Sequence, residues 1–600
     1  MIIGIDLGTT NCAVAWADPR NITDKQTPVE LRSFEIPQLT HPGSVELRTL
    51  LPSFLYFPGP KDLPANSIEL PWDQDINYAV GHLAREQGAK IPHRVISSAK
   101  SWLSNENVDR TAPILPWNSS DEVPHISPIE ASARYLQHIA RAWDQSYPDA
   151  PFTEQDIVIT VPASFDTVAR DFTVQAAKQI GIKNLSLLEE PQAAFYSWLD
   201  DSNADWRSQI SVGDRILVCD IGGGTTDFSL ITVADREGNL SLERSAVGEH
   251  LLLGGDNMDL TLAVFLQQKL KTERRQKLDS WQMQVLTHAC RSAKEQLLQK
   301  YGQEEWSISI PGRGSSLISS SIQTSLHKEE VEKLIVEGFF PKCTVEDQAV
   351  RSRQSGLREL GLPFESNPAV TKHLARFLSI HKPEDGSAPF FAPTAILFNG
   401  GVLKAAVLRE RITETVNSWL AAIGAPALKV LTGGDHDLAV ARGAARSGLS
   451  RYGLGARIKA GVNRSYYIGI ESSMPAIPGL PAPLKALCVA NFGMEEDTRE
   501  AIPNRSFGLT VGEQADFRFF GSTCRRSDKI GDIVEDWEDD IEELLSLQVT
   551  LTGDTEGASK IIPVTLESHV TDLGTLEVWC CQNNGSGKWK LEFETRNQAS

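Results

Sequence analysis

Six hundred residues with 41% apolar and 23% charged side chains describe a globular chain of several domains or subdomains, because one core rarely organises more than about 250–300 residues. The formal charge of −20 disfavours a nucleic-acid or anionic-membrane surface. The 8 cysteines form no CxxC and no zinc-spaced His/Cys cluster, the N-terminus lacks a signal-peptide pattern and no apolar run is long enough to span a bilayer, so a cytoplasmic chain is expected.

In chain order, short apolar runs alternate with helical periodicity up to about residue 450, the pattern of an α/β domain. Strands are predicted at Met1 to Asp6, Asp156 to Val161, Arg215 to Asp220, Phe228 to Val233 and Thr394 to Phe398. Helices are predicted at Val168 to Ile180, Ala193 to Trp198, Asp259 to Leu270, Trp281 to Gln299, Lys328 to Phe339 and Asp437 to Leu449. After about Ser465 the pattern becomes short strands parted by Gly, Pro, Asn and Asp, at Phe507 to Val511, Phe517 to Phe520, Ile561 to Leu566, Thr575 to Trp579 and Trp589 to Thr595. Ser472 to Pro483 reads as a loop or edge segment. The acidic run Glu535 to Glu543 reads as a solvated loop, with a docking surface for basic clients as the minority alternative.

Two segments carry chemistry. Asp6-Leu7-Gly8-Thr9-Thr10-Asn11 closes a strand with a carboxylate, then offers a glycine that lets backbone N–H groups approach phosphate oxygens, then hydroxyls that donate to them. An ordinary hairpin turn also accommodates such a string. Asp220-Ile221-Gly222-Gly223-Gly224-Thr225-Thr226-Asp227 repeats the logic with consecutive glycines between two carboxylates, which implies that another backbone or a ligand comes close. Paired Asp and Thr suit a hydrated Mg²⁺ and an attacking water. Neither segment is a GxxxxGK[ST] loop, and no GxGxxG follows a strand.

The arrangement resembles the actin-like ATPase superfamily and, within it, the heat-shock protein 70 (Hsp70) chaperones. The motifs Ile3 to Asn11, Ile159 to Phe165, Glu189 to Ala194 and Asp220 to Asp227 follow that family's order, and Leu253 to Asp259, Asn399 to Val402 and Asp437 to Ala445 add to them. The resemblance implies an α/β actin-like (ribonuclease H-like) two-lobed ATPase domain over 1–456, a linker over 457–464 and an antiparallel β-sandwich-like domain over 465–600 that binds a substrate or partner and lacks the family's helical lid. By the same resemblance Lys100, Glu190, Asp220 and Thr225 are catalytic, and Asp6, Asp220 and Asp227 hold Mg²⁺ mostly through water. ATP or ADP is contacted by Asp6, Gly8, Thr9, Thr10, Asn11, Gly222, Gly223, Gly224, Thr225, Thr226, Gly254, Gly255, Lys294, Gly400, Gly401 and Asp437. Pro162 and Arg170 match a pair that relays nucleotide state to the outer face of the first lobe, although a proline after a strand and an arginine on the next helix also arise for structural reasons.

The chain departs from the family in places. Its Glu-x-x-Lys-x-x-x-Ser helix reads Arg291 to Leu298 here, with only Lys294 kept, and Lys404 stands in place of an arginine beside the adenine, so base preference is expected to differ. The leucine-rich linker is replaced by a segment in which only Ile458 and Val462 could dock by apolar burial. Ser186 replaces an arginine that helps J-domain co-chaperones dock. The expected function is therefore ATP binding and slow hydrolysis, with nucleotide state modulating binding of unfolded polypeptide or a dedicated protein by the β domain, aided by a J-domain protein and an exchange factor, and with neither nucleic acid nor membrane as partner. A nucleotide-gated adaptor with little turnover is the alternative, and a small-molecule kinase of the same superfold a more distant one.

Overall fold

The computed structural model describes residues 1–600 except 22–28, 89, 202–205, 237–238, 300–301, 313–320, 350–360, 384–385, 387, 453, 455–461, 463, 473–482, 496–497, 504, 523–524, 526, 539, 552–559, 572–574, 584–586 and 595–600. It divides into two compact units, one of Met1–Leu242 and Ala246–Arg457, the other of Ile458–Ser600 with Glu243–Ser245. Most of the expected linker, 457–461 and 463, and most of the Ser472 to Pro483 loop lie outside the described residues.

The first unit repeats one sheet plan twice. Ile2–Leu7 pairs antiparallel with Asn11–Ala17 on one side and parallel with Asp156–Val161 on the other, and Asn184–Glu189 continues the parallel edge. Arg215–Ile221 likewise pairs antiparallel with Thr226–Arg236 and parallel with Ala395–Asn399, which is followed by Lys429–Leu431. The central strands are apolar on both faces because helices cover both, so they read as continuous runs rather than alternating ones. Each central hairpin therefore turns at the same edge of its sheet, and those turns are Gly8 to Thr10 and Gly222 to Thr225.

Helices form where periodicity, caps and packing agree. Asp166 caps Thr167–Gln179 by accepting from the Ala169 N–H at 2.6 Å. Ser127 caps Pro128–Ser146, with proline at the first position and Glu130 at the third, a start signal that the sequence reading above did not use. The predicted helix at Lys328 to Phe339 changes pitch, with an α-helical Lys328–Glu332 running into a π-helical Lys333–Glu337. Ala439–Arg451 begins two residues after Asp437 and packs on Ile2–Leu7 and Glu190–Asp201 at backbone distance. Only glycine fits at 443, where a Cβ would lie 1.7 Å from the Ala193 carbonyl oxygen. Among the described residues, no helix is long and apolar enough to cross a membrane.

The second unit holds two antiparallel sheets. One contains Ser465–Glu471, Leu484–Ala490, Gln514–Ser522, Ile533–Val534 and Glu542–Thr550, and the other Thr498–Ala501, Phe507–Val511, Lys560–Val570, Thr575–Gln582 and Lys588–Glu594. They share one core, in which Phe519 stacks on Tyr466 at 5.3 Å and on Phe593 of the other sheet at 4.3 Å. Val462, expected in the linker, is buried in that core and its N–H donates to the Met494 carbonyl at 3.0 Å, so its side chain is spent inside this unit. The acidic run is more than a solvated loop: Trp537 packs on Phe520 at 4.7 Å, Ile541 is buried, and Glu535, Asp540 and Glu543 pair with Lys485, Arg525 and Arg518.

Candidate functional site

The two turns meet across a cleft of about 590 Å³ inside the first unit. Asp6, Gly8, Thr9, Thr10 and Asn11 line it from the first turn, and Asp220, Gly222, Gly223 and Thr225 from the second. The first turn is fixed by Ser53, whose hydroxyl donates to the Gly8 carbonyl at 2.6 Å and whose N–H donates to the Thr10 carbonyl at 2.9 Å. The glycines of the second turn are explained by the first: a Cβ on Gly223 would lie 1.9 Å from Thr10 Oγ1, and one on Gly224 would lie 2.8 Å from Thr9 Cγ2.

Lys100 and Glu190 stand between the turns in direct contact, both nearly excluded from solvent. Lys100 comes from the short helix Ala99–Leu103, and Glu190 opens the helix that follows the parallel edge strand. Burial pushes the ammonium down, but the Glu190 and Asp6 charges outweigh it and hold Lys100 above its ordinary value. The carboxyls move the other way. Burial, then repulsion from Glu190, pushes Asp6 up to about 7. The same two causes drive Asp220 well above its ordinary range, against a 2.7 Å hydrogen bond donated by Asn399 Nδ2. Asp227 is raised by burial despite accepting from the Ser164 hydroxyl.

At the other end of the cleft lie Gly255, Lys294, Gly400, Gly401 and Asp437. Gly400 adopts φ +90°, a left-handed conformation that glycine tolerates, and so turns the chain from the Ala395–Asn399 strand toward the cleft. Lys294 donates to the Gly255 carbonyl at 2.9 Å and pairs with Asp259 at 2.7 Å. Arg291 joins the same group, with Nε 2.9 Å from Asp259 and its terminal nitrogen on Asp256. Lys404 reaches Asp437 at 2.5 Å. Two of the positions where the chain departs from the resembling family, 291 and 404, thus bind carboxylates of the protein itself.

Four sequence-predicted residues do not line the cleft: Gly224, Thr226, Asp227 and Gly254. The Thr226 hydroxyl is spent on the Leu253 carbonyl at 2.7 Å. Gly254 caps the helix Gly255–Arg274 through its N–H, which donates to Asn257 Oδ1 at 2.9 Å. The N–H groups of Gly255 and Asp256 are likewise taken, by the Gly222 and Gly223 carbonyls at 3.1 and 2.7 Å. Pro162 and Arg170 do meet. Arg170 is fully buried, pairs with Glu189 at 3.0 Å, and donates to the Phe165, Ala163 and Pro162 carbonyls at 3.0, 3.1 and 3.4 Å. Glu189 directly precedes Glu190, so the pair abuts the Lys100 contact. Sequence reasoning did not single out Asn399 or Asp256 as site residues, although both stand inside the motifs Asn399 to Val402 and Leu253 to Asp259; the pairing of Asp256 with Arg291 is visible only in the fold.

A model of the Hsp70 protein family matches residues 71–352. The chaperone protein HscA of Enterobacter sp. (strain 638) is 32% identical over 282 residues, which is 45% of this chain and 38% of that protein. A chaperone protein HscA homolog of Colwellia psychrerythraea is 31% identical over 348 residues, 55% of this chain and 46% of that one. HscA of Proteus mirabilis is 32% identical over 279 residues. The matched part spans less than half the length of these curated relatives, 38% and 46% for the first two named.

Proposed function

Because the chain belongs to the Hsp70 family, we propose that its first unit is an actin-like ATPase domain that binds ATP in the cleft and slowly hydrolyses it to ADP and phosphate. Nucleotide state then sets how the second unit holds polypeptide or a protein partner, in the cytoplasm, with a J-domain protein and an exchange factor as helpers. The observation that carries this reading is the convergence of Lys100 and Glu190 with Asp6 and Asp220 between two threonine-bearing turns. The repeated sheet plan supports the actin-like assignment.

The donor set fits a divalent ion. Asp6 and Asp220 are raised first by burial and then by the Glu190 charge, and Asp227 by burial, with Lys100 as the cation among them. Among the described residues no three His, Cys, Asp or Glu side chains form a direct chelating group, so Asp6 and Asp220 would hold Mg²⁺ through its waters, with Asp227, which does not line the cleft, adding negative charge beside Lys100. Bound there, Mg²⁺ supplies positive charge to the phosphate oxygens. Thr9, Thr10 and Thr225 donate hydroxyls to the phosphates, Lys100 neutralises charge developing on the transferred group, and Glu190 orients the water.

A second reading, a nucleotide-gated adaptor with little turnover, is favoured by Arg291 and Lys404, whose charges are engaged by Asp256, Asp259 and Asp437 where the base would sit. Steady-state phosphate release by the wild type and by Lys100→Ala separates the two. The ATPase reading expects release that the substitution removes; equal release from both proteins overturns it. Peptide binding measured with ATP, with ADP and without nucleotide tests the coupling, which equal affinities in all three conditions would refute.

A further inference from the structure

Three polar side chains with no part in the phosphate chemistry connect the helix carrying Lys100 to the second turn. Ser104 follows Ala99–Leu103, and its Oγ lies 3.0 Å from His250 Nε2. His250 Nδ1 lies 2.6 Å from Ser164 Oγ, and Ser164 donates to the Asp227 carboxylate. Phe165 packs edge to face against the imidazole at 5.7 Å, so the ring is held on its flank as well as at both nitrogens. Ser104 and Ser164 belong to elements around the first sheet, whereas Asp227 and His250 belong to the second, and the imidazole spans the two.

The direction of each hydrogen bond follows from the number of protons available. A carboxylate accepts, so the single Ser164 proton goes to Asp227, and Ser164 Oγ must accept from Nδ1–H. A neutral imidazole has one N–H, which leaves Nε2 bare to accept from the Ser104 hydroxyl at 3.0 Å, in competition with the Ser101 carbonyl, which lies 3.1 Å from the same hydroxyl. Neutrality is favoured because burial pushes His250 down to about 4. The sequence Ser104 to His250 to Ser164 to Asp227 is thus one directed chain, satisfied at every step by a single tautomer.

Resting on the ATPase reading of the cleft, we propose that His250 is a positioning residue for hydrolysis. As the Nδ1–H tautomer it keeps the Ser164 hydroxyl on Asp227 and, through Ser104, ties the second turn to the helix that presents Lys100. Without that tie, Ser164 can rotate away from Asp227, and Lys100 and Asp227 are no longer fixed relative to each other. A loss of this kind falls on the chemical step more than on substrate binding.

Substitutions separate the role from simple packing. Asparagine places an amide N–H where Nδ1–H stands, whereas glutamine reaches the Nε2 position instead. His250→Leu is expected to lower kcat about tenfold, with KM changed less than about threefold. His250→Asn is expected to restore kcat to within about threefold of wild type, and His250→Gln is not. If all three folded variants keep wild-type kcat, or if the Asn and Gln variants lose kcat equally, the positioning role is overturned. Nitrogen-resolved imidazole spectra of the nucleotide-free protein give an independent readout: a protonated Nδ1 with a bare Nε2 is expected, and the reverse tautomer overturns the proposal. If the wild type releases no more phosphate than Lys100→Ala, the ATPase reading fails and takes the positioning role with it, while the tautomer still decides whether the hydrogen-bond chain exists.

Discussion

The Lys100 ammonium is buried against the Glu190 carboxylate, at the point where the two hairpin turns face each other. Lys100→Ala leaves Glu190, Asp6 and Asp227 without that cation. Single-turnover phosphate release is expected to fall roughly 100-fold, the scale of losing one preorganised group that stabilises transition-state charge. ATP affinity measured by calorimetry is expected to change far less. A large loss of affinity with an unchanged hydrolysis rate would assign Lys100 to binding alone.

Gly223 and Thr10 make a second, steric prediction. Gly223→Ala drives a methyl group into the Thr10 hydroxyl and is expected to destabilise the first unit by about 1–3 kcal/mol in urea unfolding. Thr10→Ala removes the oxygen in question, so the double variant should recover part of that loss. Additive losses in the double variant would show that the two turns do not touch.

Asp6 sets a pH dependence. Its carboxyl is raised to about 7 from an ordinary 3.8, so between those values the folded chain keeps a proton that the unfolded chain has released. Stability from this group therefore falls as pH rises through that window, and the penalty is complete above it. Asp6→Asn should stabilise the nucleotide-free protein at pH 8 by on the order of 2–4 kcal/mol and leave it nearly unchanged at pH 4. His138 and His288, pushed down to about 4 by burial, contribute the opposite slope below 6.5, so the readout is the difference between the two proteins. An equal effect at both pH values would refute the assignment.

Arg170 and Glu189 form a fully buried pair. Arg170→Met strands the Glu189 charge and frees three carbonyls, and is expected to cost about 3–5 kcal/mol in denaturant unfolding. Arg170→Met combined with Glu189→Leu should recover most of it. A single variant as stable as wild type would remove the pair from the structural account.

The hairpins were legible because every determinant is local: an apolar run, a carboxylate, a glycine turn and hydroxyls within ten residues. So was the change of pattern near Ser465, since short alternating strands differ from helical periodicity at first sight. Pairings across the chain were not legible. Nothing near Arg291 says that Asp256 and Asp259 will answer it, and nothing near His250 says that Ser104 and Ser164 will converge on it. Thr226 shows the opposite failure, because a hydroxyl inside a perfect motif is consumed by the Leu253 carbonyl. Val462 and the acidic run were misread for a related reason: charge and position suggested exposure, whereas Trp537, Ile541 and Val462 are anchored in the sheets they adjoin.

The helix Ala439–Arg451 carries a last consequence. It is among the final elements of the first unit to leave the ribosome, yet it covers one of the earliest strands, with Gly4 so close that a Cβ would lie 2.3 Å from the Ala441 carbonyl oxygen. Until residue 451 has been synthesised, the face of Ile2–Leu7 that this helix covers is bare, and the first lobe cannot reach its final packing. The two lobes, although built on the same plan, therefore mature as one event, and a nascent chain halted between them is a natural client for chaperones.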